Sequence, residues 1–135
     1  MAETEAYRKG AELRRRLLGD EWVNRTSQST YADPIMQKFI DVATEAVFGT
    51  IWTRPGLDLK MRTFVCVISD AATAREPELA IHLRMALRHG WTEEELTEAL
   101  IHLLGYVGAP AARDALLVAS RVFAEMRAEK GGAGR

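Results

Sequence analysis

Apolar residues recur at intervals of three and four positions along most of this chain, which is the periodicity of amphipathic helices. Strict apolar–polar alternation, which would indicate strands, does not stand out, and neither does an internal repeat. We therefore predict an all-α fold of about six helices. Their approximate bounds are Glu3 to Leu18, Asp33 to Gly49, Asp58 to Thr73, Glu76 to Gly90, Thr92 to Gly108 and Ala111 to Ala128.

Local signals at the helix ends support these bounds. Asp33 followed by Pro34 is a typical helix start, because Asp can cap the first turn and Pro fits the first helical position. Thr92 with Glu95 three residues later matches a capping box. Glycines at positions 19, 49, 90 and 108 are placed to end helices.

Two segments lack this periodicity. Residues 20–31 are mostly polar, and we expect a connecting loop or a long arm with Trp22 and Val23 as anchors. Residues 130–135 are rich in glycine, and we expect a disordered tail. The expectation for the whole chain is one domain, residues 1–135.

The helix predicted from Asp58 to Thr73 is apolar on nearly all sides. Such a helix is central in its fold. One domain of this size leaves little interior to cover it, so we also predict a homo-oligomer in which subunits share apolar helix faces.

The amino-acid composition argues against several classes of function. The 135 residues carry a formal net charge of −1, so no basic field favours nucleic acid as a partner. The longest weakly polar run is too short to span a membrane. Cys66 is the single cysteine, which excludes an internal disulfide or a CxxC site and favours the cytoplasm. The first residues are charged from the third position onward, so we expect no leader segment.

The candidate chemistry lies on two consecutive predicted helices that hold all three histidines. Glu78 and His82 are one helical turn apart, as are Glu98, His102 and Tyr106. A carboxylate one turn from an imidazole can orient it for general acid–base catalysis. The alternatives are a surface ion pair for Glu78 and His82, and a hydrogen-bonded core residue for His102.

His89 lies at a helix end, where we expect it to complement the helix dipole. A metal site is not expected, since HExxH is absent and no two histidines are three or four residues apart. Arg54 follows Trp52 in a turn that contains Pro55. Arginine can hold a carboxylate by two parallel hydrogen bonds, so Arg54 is a candidate for substrate binding, although it could instead tie down a helix end.

Three segments together resemble the carboxymuconolactone decarboxylase family, within the alkylhydroperoxidase-D-like superfamily. They are YRKGAELRRRLLGDEWV, FGTIWTRPGLDLKMR and ELAIHLRMALRHGWTEEELTEALIHLLGYVGAPAA, and the similarity extends from about Tyr7 to Phe123. The resemblance implies an all-helical fold and a homo-oligomer, commonly trimeric or hexameric. The redox branch of the superfamily carries CxxCxxxH. Here Arg75 and Glu78 occupy the two cysteine positions, so the resemblance implies the decarboxylase branch, which uses no cofactor.

The substrate that this resemblance implies is 4-carboxymuconolactone, a carboxylated unsaturated lactone. In that reaction we assign proton delivery to His82, oriented by Glu78. His102 and Tyr106 are assigned to hydrogen-bond the enolate oxygen. Arg54, beside Trp52, is assigned to bind a substrate carboxylate. The two histidines could exchange roles. The alternatives are lactone hydrolysis or isomerisation on the same scaffold, and a non-catalytic oligomeric stress or binding protein.

Overall fold

The computed structural model describes residues 3–133, and the regular structure found there is helical throughout, which confirms the all-α prediction. The chain divides into two compact units, residues 1–58 and 59–135. Whether they form one domain stays a prediction. No helix in the described part of the chain is both long and apolar enough to cross a membrane.

The first unit contains α1 (Glu5–Leu18), α2 (Asp20–Ser27) and α3 (Pro34–Ala43), which continues as a π-helical segment (Thr44–Ile51). The predicted cap of α3 is confirmed, because the Asp33 carboxylate accepts hydrogen bonds from the backbone N–H groups of Ile35 and Met36.

The prediction of a loop over residues 20–31 was wrong for α2. This short helix buries Val23 and Thr26, and it packs against α1. The Thr26 hydroxyl donates to the carbonyl oxygens of Trp22 and Val23, at 2.9 and 3.2 Å. Residues such as Asn, Thr and Ser favour helices only weakly, so this helix depends on packing, which sequence periodicity does not register.

Gly49 does not end its helix as predicted, because the π-helical segment continues to Ile51. Gly10 and Gly49 instead allow α1 and the π-helical segment to meet backbone to backbone. A Cβ atom at Gly49 would lie 2.0 Å from the carbonyl oxygen of Ala6, and one at Gly10 would lie 2.0 Å from that of Thr44. Both positions therefore require glycine for steric reasons.

The second unit contains α4 (Leu59–Ala72), α5 (Glu76–Arg88), α6 (Glu93–His102), α7 (Leu104–Val107) and α8 (Ala109–Ala133). The capping box at the start of α6 is confirmed. The prediction of a disordered tail was wrong for residues 130–133, which continue α8, and the rest of that tail lies outside the described residues. One contiguous apolar core joins α4, α5, α6 and α8. Its members include Val67, Leu79, Leu83, Leu96, Leu100, Val118, Val122 and Phe123.

The helix predicted to be central, α4, packs against α5, α6 and α8. Its buried face carries Thr63, Val67, Asp70 and Ala71. On the opposite side of the helix, Val65 is exposed. The apolar circumference of α4 is thus only partly covered by its own unit.

Candidate functional site

A carboxylate–imidazole pair connects α4 and α5. The Nδ1 atom of His82 is hydrogen-bonded to Oδ2 of Asp70. Asp70 is buried, and His82 keeps about a fifth of its side chain exposed, 21%. An ionised carboxylate only accepts hydrogen bonds, so Asp70 favours a proton on Nδ1. The Nε2 atom is then the ring nitrogen left to exchange a proton with another molecule.

Core packing brings the two side chains together. On α4, Val67 and Ala71 flank Asp70 on the buried face, and on α5, Leu79 and Leu83 flank His82 in the same core. The turn between the helices is tight. Ala74 adopts a left-handed φ of 58°, and the N–H of Arg75 donates to the carbonyl oxygen of Asp70 at 2.9 Å. The pair is therefore fixed by the hairpin of α4 and α5.

Glu78 does not orient His82, contrary to the sequence prediction. Its side chain is exposed and takes part in no hydrogen bond or ion pair with any residue from 3 to 133. Helical spacing places Glu78 and His82 on one stripe, but a residue from the neighbouring helix occupies Nδ1. One feature of the sequence could have identified Asp70 as a site residue. It is an acidic residue within the mostly apolar run VCVISDAA, where a buried charge needs a partner.

Cys66 lies on α4 one turn before Asp70. Burial raises the pKa of its thiol to about 11, and the nearby Asp70 carboxylate contributes in the same direction. The thiol is therefore protonated at neutral pH and is a poor nucleophile. This agrees with treating Cys66 as a packing residue.

His102 and Tyr106 lie together at the end of α6 and in α7. Their ring centroids are 5.2 Å apart with an interplanar angle of 31°. Both side chains are exposed, so His102 is not the core histidine of the alternative interpretation. No hydrogen bond or ring contact links this pair to His82 among residues 3–133. Their shared role with His82 stays a prediction.

Trp52 and Arg54 belong to the first unit, just after the π-helical segment. Trp52 is buried and stacks on Phe48, with ring centroids 6.0 Å apart. Arg54 is exposed, and its backbone N–H donates to the carbonyl oxygen of Ile51 at 3.2 Å. The indole thus contributes to packing, while the guanidinium lies at the surface. Substrate binding by either residue stays a prediction.

His89 occupies the C-terminal cap of α5, the helix end expected from the sequence, while its interaction with the helix dipole stays a prediction. Its backbone N–H donates to the carbonyl oxygens of Met85 and Ala86. Within residues 3–133, no group of three or more His, Cys, Asp or Glu side chains is arranged to bind a metal ion.

Comparison with known proteins gives this arrangement its context. The model of the carboxymuconolactone decarboxylase family matches residues 37–121, which include Asp70, His82, His102 and Tyr106. The chain belongs to this family. The family resemblance inferred from the sequence is thereby confirmed.

Two relatives of this chain are decarboxylases by name. The chain is 33% identical over 126 residues to 4-carboxymuconolactone decarboxylase from Acinetobacter baylyi, covering 93% of this chain and 92% of that protein. It is 32% identical over 120 residues to nitrosuccinic acid decarboxylase from Metarhizium robertsii, covering 89% and 82%. Relatives of similar identity thus act on chemically different substrates.

Proposed function

We propose that this protein is a carboxy-lyase that releases CO2 from 4-carboxymuconolactone to give 3-oxoadipate enol-lactone. The observation that carries the proposal is the Asp70–His82 pair in a chain of this family. The relative of this name aligns over nearly the full length of both chains, which supports the choice of substrate.

The substrate supplies its own electron sink. The bond between the ring carbon and the leaving carboxylate breaks, and its electron pair delocalises through the ring double bond onto the lactone carbonyl oxygen. The resulting enolate then takes up a proton at carbon. The protein has to hold the substrate, stabilise the negative oxygen and deliver that proton.

His82 is the proposed proton donor. With Nδ1 held by Asp70, a protonated His82 can give the proton on Nε2 to carbon and become neutral. Asp70 acts as a positioning residue, because its hydrogen bond to Nδ1 fixes the orientation of the ring. The remaining roles are proposals carried over from the sequence: His102 and Tyr106 bind the enolate oxygen, and Arg54, beside Trp52, binds a substrate carboxylate.

Nitrosuccinate is a second candidate substrate, favoured by the similarity to the fungal relative. A nitro group on the carbon that loses CO2 can accept the electron pair as a nitronate. Proton delivery to that carbon would again complete the reaction. Both reactions therefore need a proton donor at the carbon that loses CO2. The two substrates differ in the pocket shape and in the carboxylate contacts that they require.

Turnover of the two substrates is the test of this proposal. We expect CO2 release from at least one of them, with one product molecule per CO2. Lactone consumption without CO2 would instead indicate hydrolysis or isomerisation. An assembled protein with no turnover of either compound would support the non-catalytic alternative.

A matched pair of variants tests the proton donor. His82→Gln preserves much of the side-chain volume and removes the acid, so kcat should fall about 10²–10⁴-fold, the usual contribution of general acid–base catalysis. His102→Gln should retain more activity. If His82→Gln is nearly native and His102→Gln is inactive, the donor is His102. If both are active, histidine acid catalysis is wrong for this protein.

A further inference from the structure

We propose that a polar cavity in the first unit is a binding site for a small carboxylate, with Arg14 as its anchor. The cavity has a volume of about 270 Å³. That is at the small end for ligand pockets and suits a small molecule. Its polar lining comes from α1, α2, α3 and the segment after α2, and includes Tyr7, Arg14, Arg15, Ser27, Tyr31 and Asp41. The inference does not depend on the proposed decarboxylation.

Arg14 is the unusual residue of this cavity, because it is a buried cation without an anion. Its side chain lies on α1, and the residue is 8% exposed. The Nη2 atom is buried and has no hydrogen-bond partner among the described residues. No carboxylate from residues 3–133 forms an ion pair with Arg14. Leaving a buried charge uncompensated is strongly unfavourable, so an anion at this position would stabilise the protein.

Tyr31 makes a contact that stabilises the positive charge of Arg14. The guanidinium carbon lies 5.2 Å from the centroid of the Tyr31 ring, which is within the range of a cation–π interaction. Burial is the main cause that lowers the pKa of Arg14, yet a guanidinium stays charged in proteins. Tyr31 also stabilises this charge through a side-chain hydrogen bond, but the Nη2 atom has no hydrogen-bond partner among the described residues.

The other charged groups of the cavity favour an anion of limited size. The Asp41 carboxylate is the acidic group of the lining, and it already accepts a hydrogen bond from the Tyr7 hydroxyl at 3.4 Å. Arg15 adds a second cation, shared with Asp20 and Asn24. Since the planar guanidinium matches the two oxygens of a carboxylate, we assign the cavity to a small mono- or dicarboxylate.

Calorimetric titration with sodium succinate at constant ionic strength tests the site, with neutral succinamide as the ligand control. The unaltered protein should bind succinate and not succinamide. Arg14→Gln should weaken succinate binding at least about tenfold, because it removes the charged donor. Arg16→Gln is the matched control, since Arg16 is exposed on the same helix, and it should bind as the unaltered protein does. Succinate binding that is lost in Arg54→Gln but unchanged in Arg14→Gln would overturn the assignment.

Arg14→Gln could fail to fold, and a crystal structure of the unaltered protein grown in succinate then decides. Succinate within hydrogen-bond distance of the Arg14 guanidinium would support the proposal. An empty cavity would contradict it. A carboxylate side chain from a second copy of the chain at Arg14 would also overturn it, because the cavity would then be a subunit contact.

Discussion

The two compact units of this chain differ in how they bury their apolar side chains. In residues 59–135, four helices share one contiguous core, which also fixes Asp70 against His82. In residues 1–58, α3 has no buried residue, and Ile35, Phe39 and Val42 are 77%, 56% and 68% exposed. The first unit buries Leu17 and Trp52, and two of its helical segments meet backbone to backbone at two glycines. The second unit therefore encloses a contiguous core although Val65 and Leu117 stay exposed, whereas the first unit contains a helix, α3, with no buried residue.

The largest expected effect of a single substitution concerns the backbone contact of the first unit. Gly49→Ala places a Cβ atom 2.0 Å from the carbonyl oxygen of Ala6, so α1 has to move away from the π-helical segment. We expect the free energy of unfolding to fall by about 3 kcal/mol or more, at or above the usual cost of overpacking. Urea denaturation followed by circular dichroism measures this change.

Gly105→Ala is the control for that experiment. Gly105 is helical, and a Cβ atom added there would meet open space, with no contact within 4 Å. This variant should leave stability nearly unchanged. Equal stability losses in the two variants would show that the contact of Gly49 has no special importance.

The exposed face of α3 is the basis of the second prediction. We expect the protein to be a homo-oligomer in which the face formed by Ile35, Phe39 and Val42 contacts another subunit. Val42→Asp should then shift the mass measured by light scattering from several chains toward one. Arg16→Asp, an exposed change on α1, should leave the mass unchanged. A single-chain mass for the unaltered protein would contradict the prediction.

The third prediction concerns the packing of α4 in the second unit. Burial raises the pKa of the Cys66 thiol from 9.0 to about 11, so at pH 8 the thiolate fraction is lower by about 100-fold than for an unperturbed thiol. Alkylation by iodoacetamide should be slower by at least that factor than in the urea-unfolded protein, and its rate should rise as the pH approaches 11. Fast alkylation of the folded protein at pH 8 would show that α4 is accessible.

Cys66→Ala should keep full decarboxylase activity, since no second thiol is present in the sequence to complete a redox cycle. Loss of turnover in this variant with folding and assembly intact would require a chemical role for the thiol.

Local sequence signals predicted the fold well, and contacts between helices account for what was missed. The capping box of Thr92 and the cap at Asp33 depend on residues three positions apart or fewer, so the sequence alone identified them. Helix α2 was missed because its stability comes from packing on α1.

In the candidate site too, the sequence indicated a residue from its place on one helix but missed a contact between helices. His82 was identified from its position on a helix, but its partner was assigned to Glu78 because periodicity relates residues of one helix only. Asp70 is twelve residues away and belongs to another helix. Its pairing with His82 follows from the packing of α4 on α5, which no spacing rule contains.

A comparison of kcat in Asp70→Asn and Glu78→Gln tests the central claim most directly. If Asp70 positions His82 for proton transfer, Asp70→Asn should lower kcat at least about tenfold, with KM changed much less, because part of the general-acid contribution is lost. Glu78→Gln should remain close to native. Near-native turnover in Asp70→Asn together with a large loss in Glu78→Gln would contradict the account and return the orienting role to Glu78.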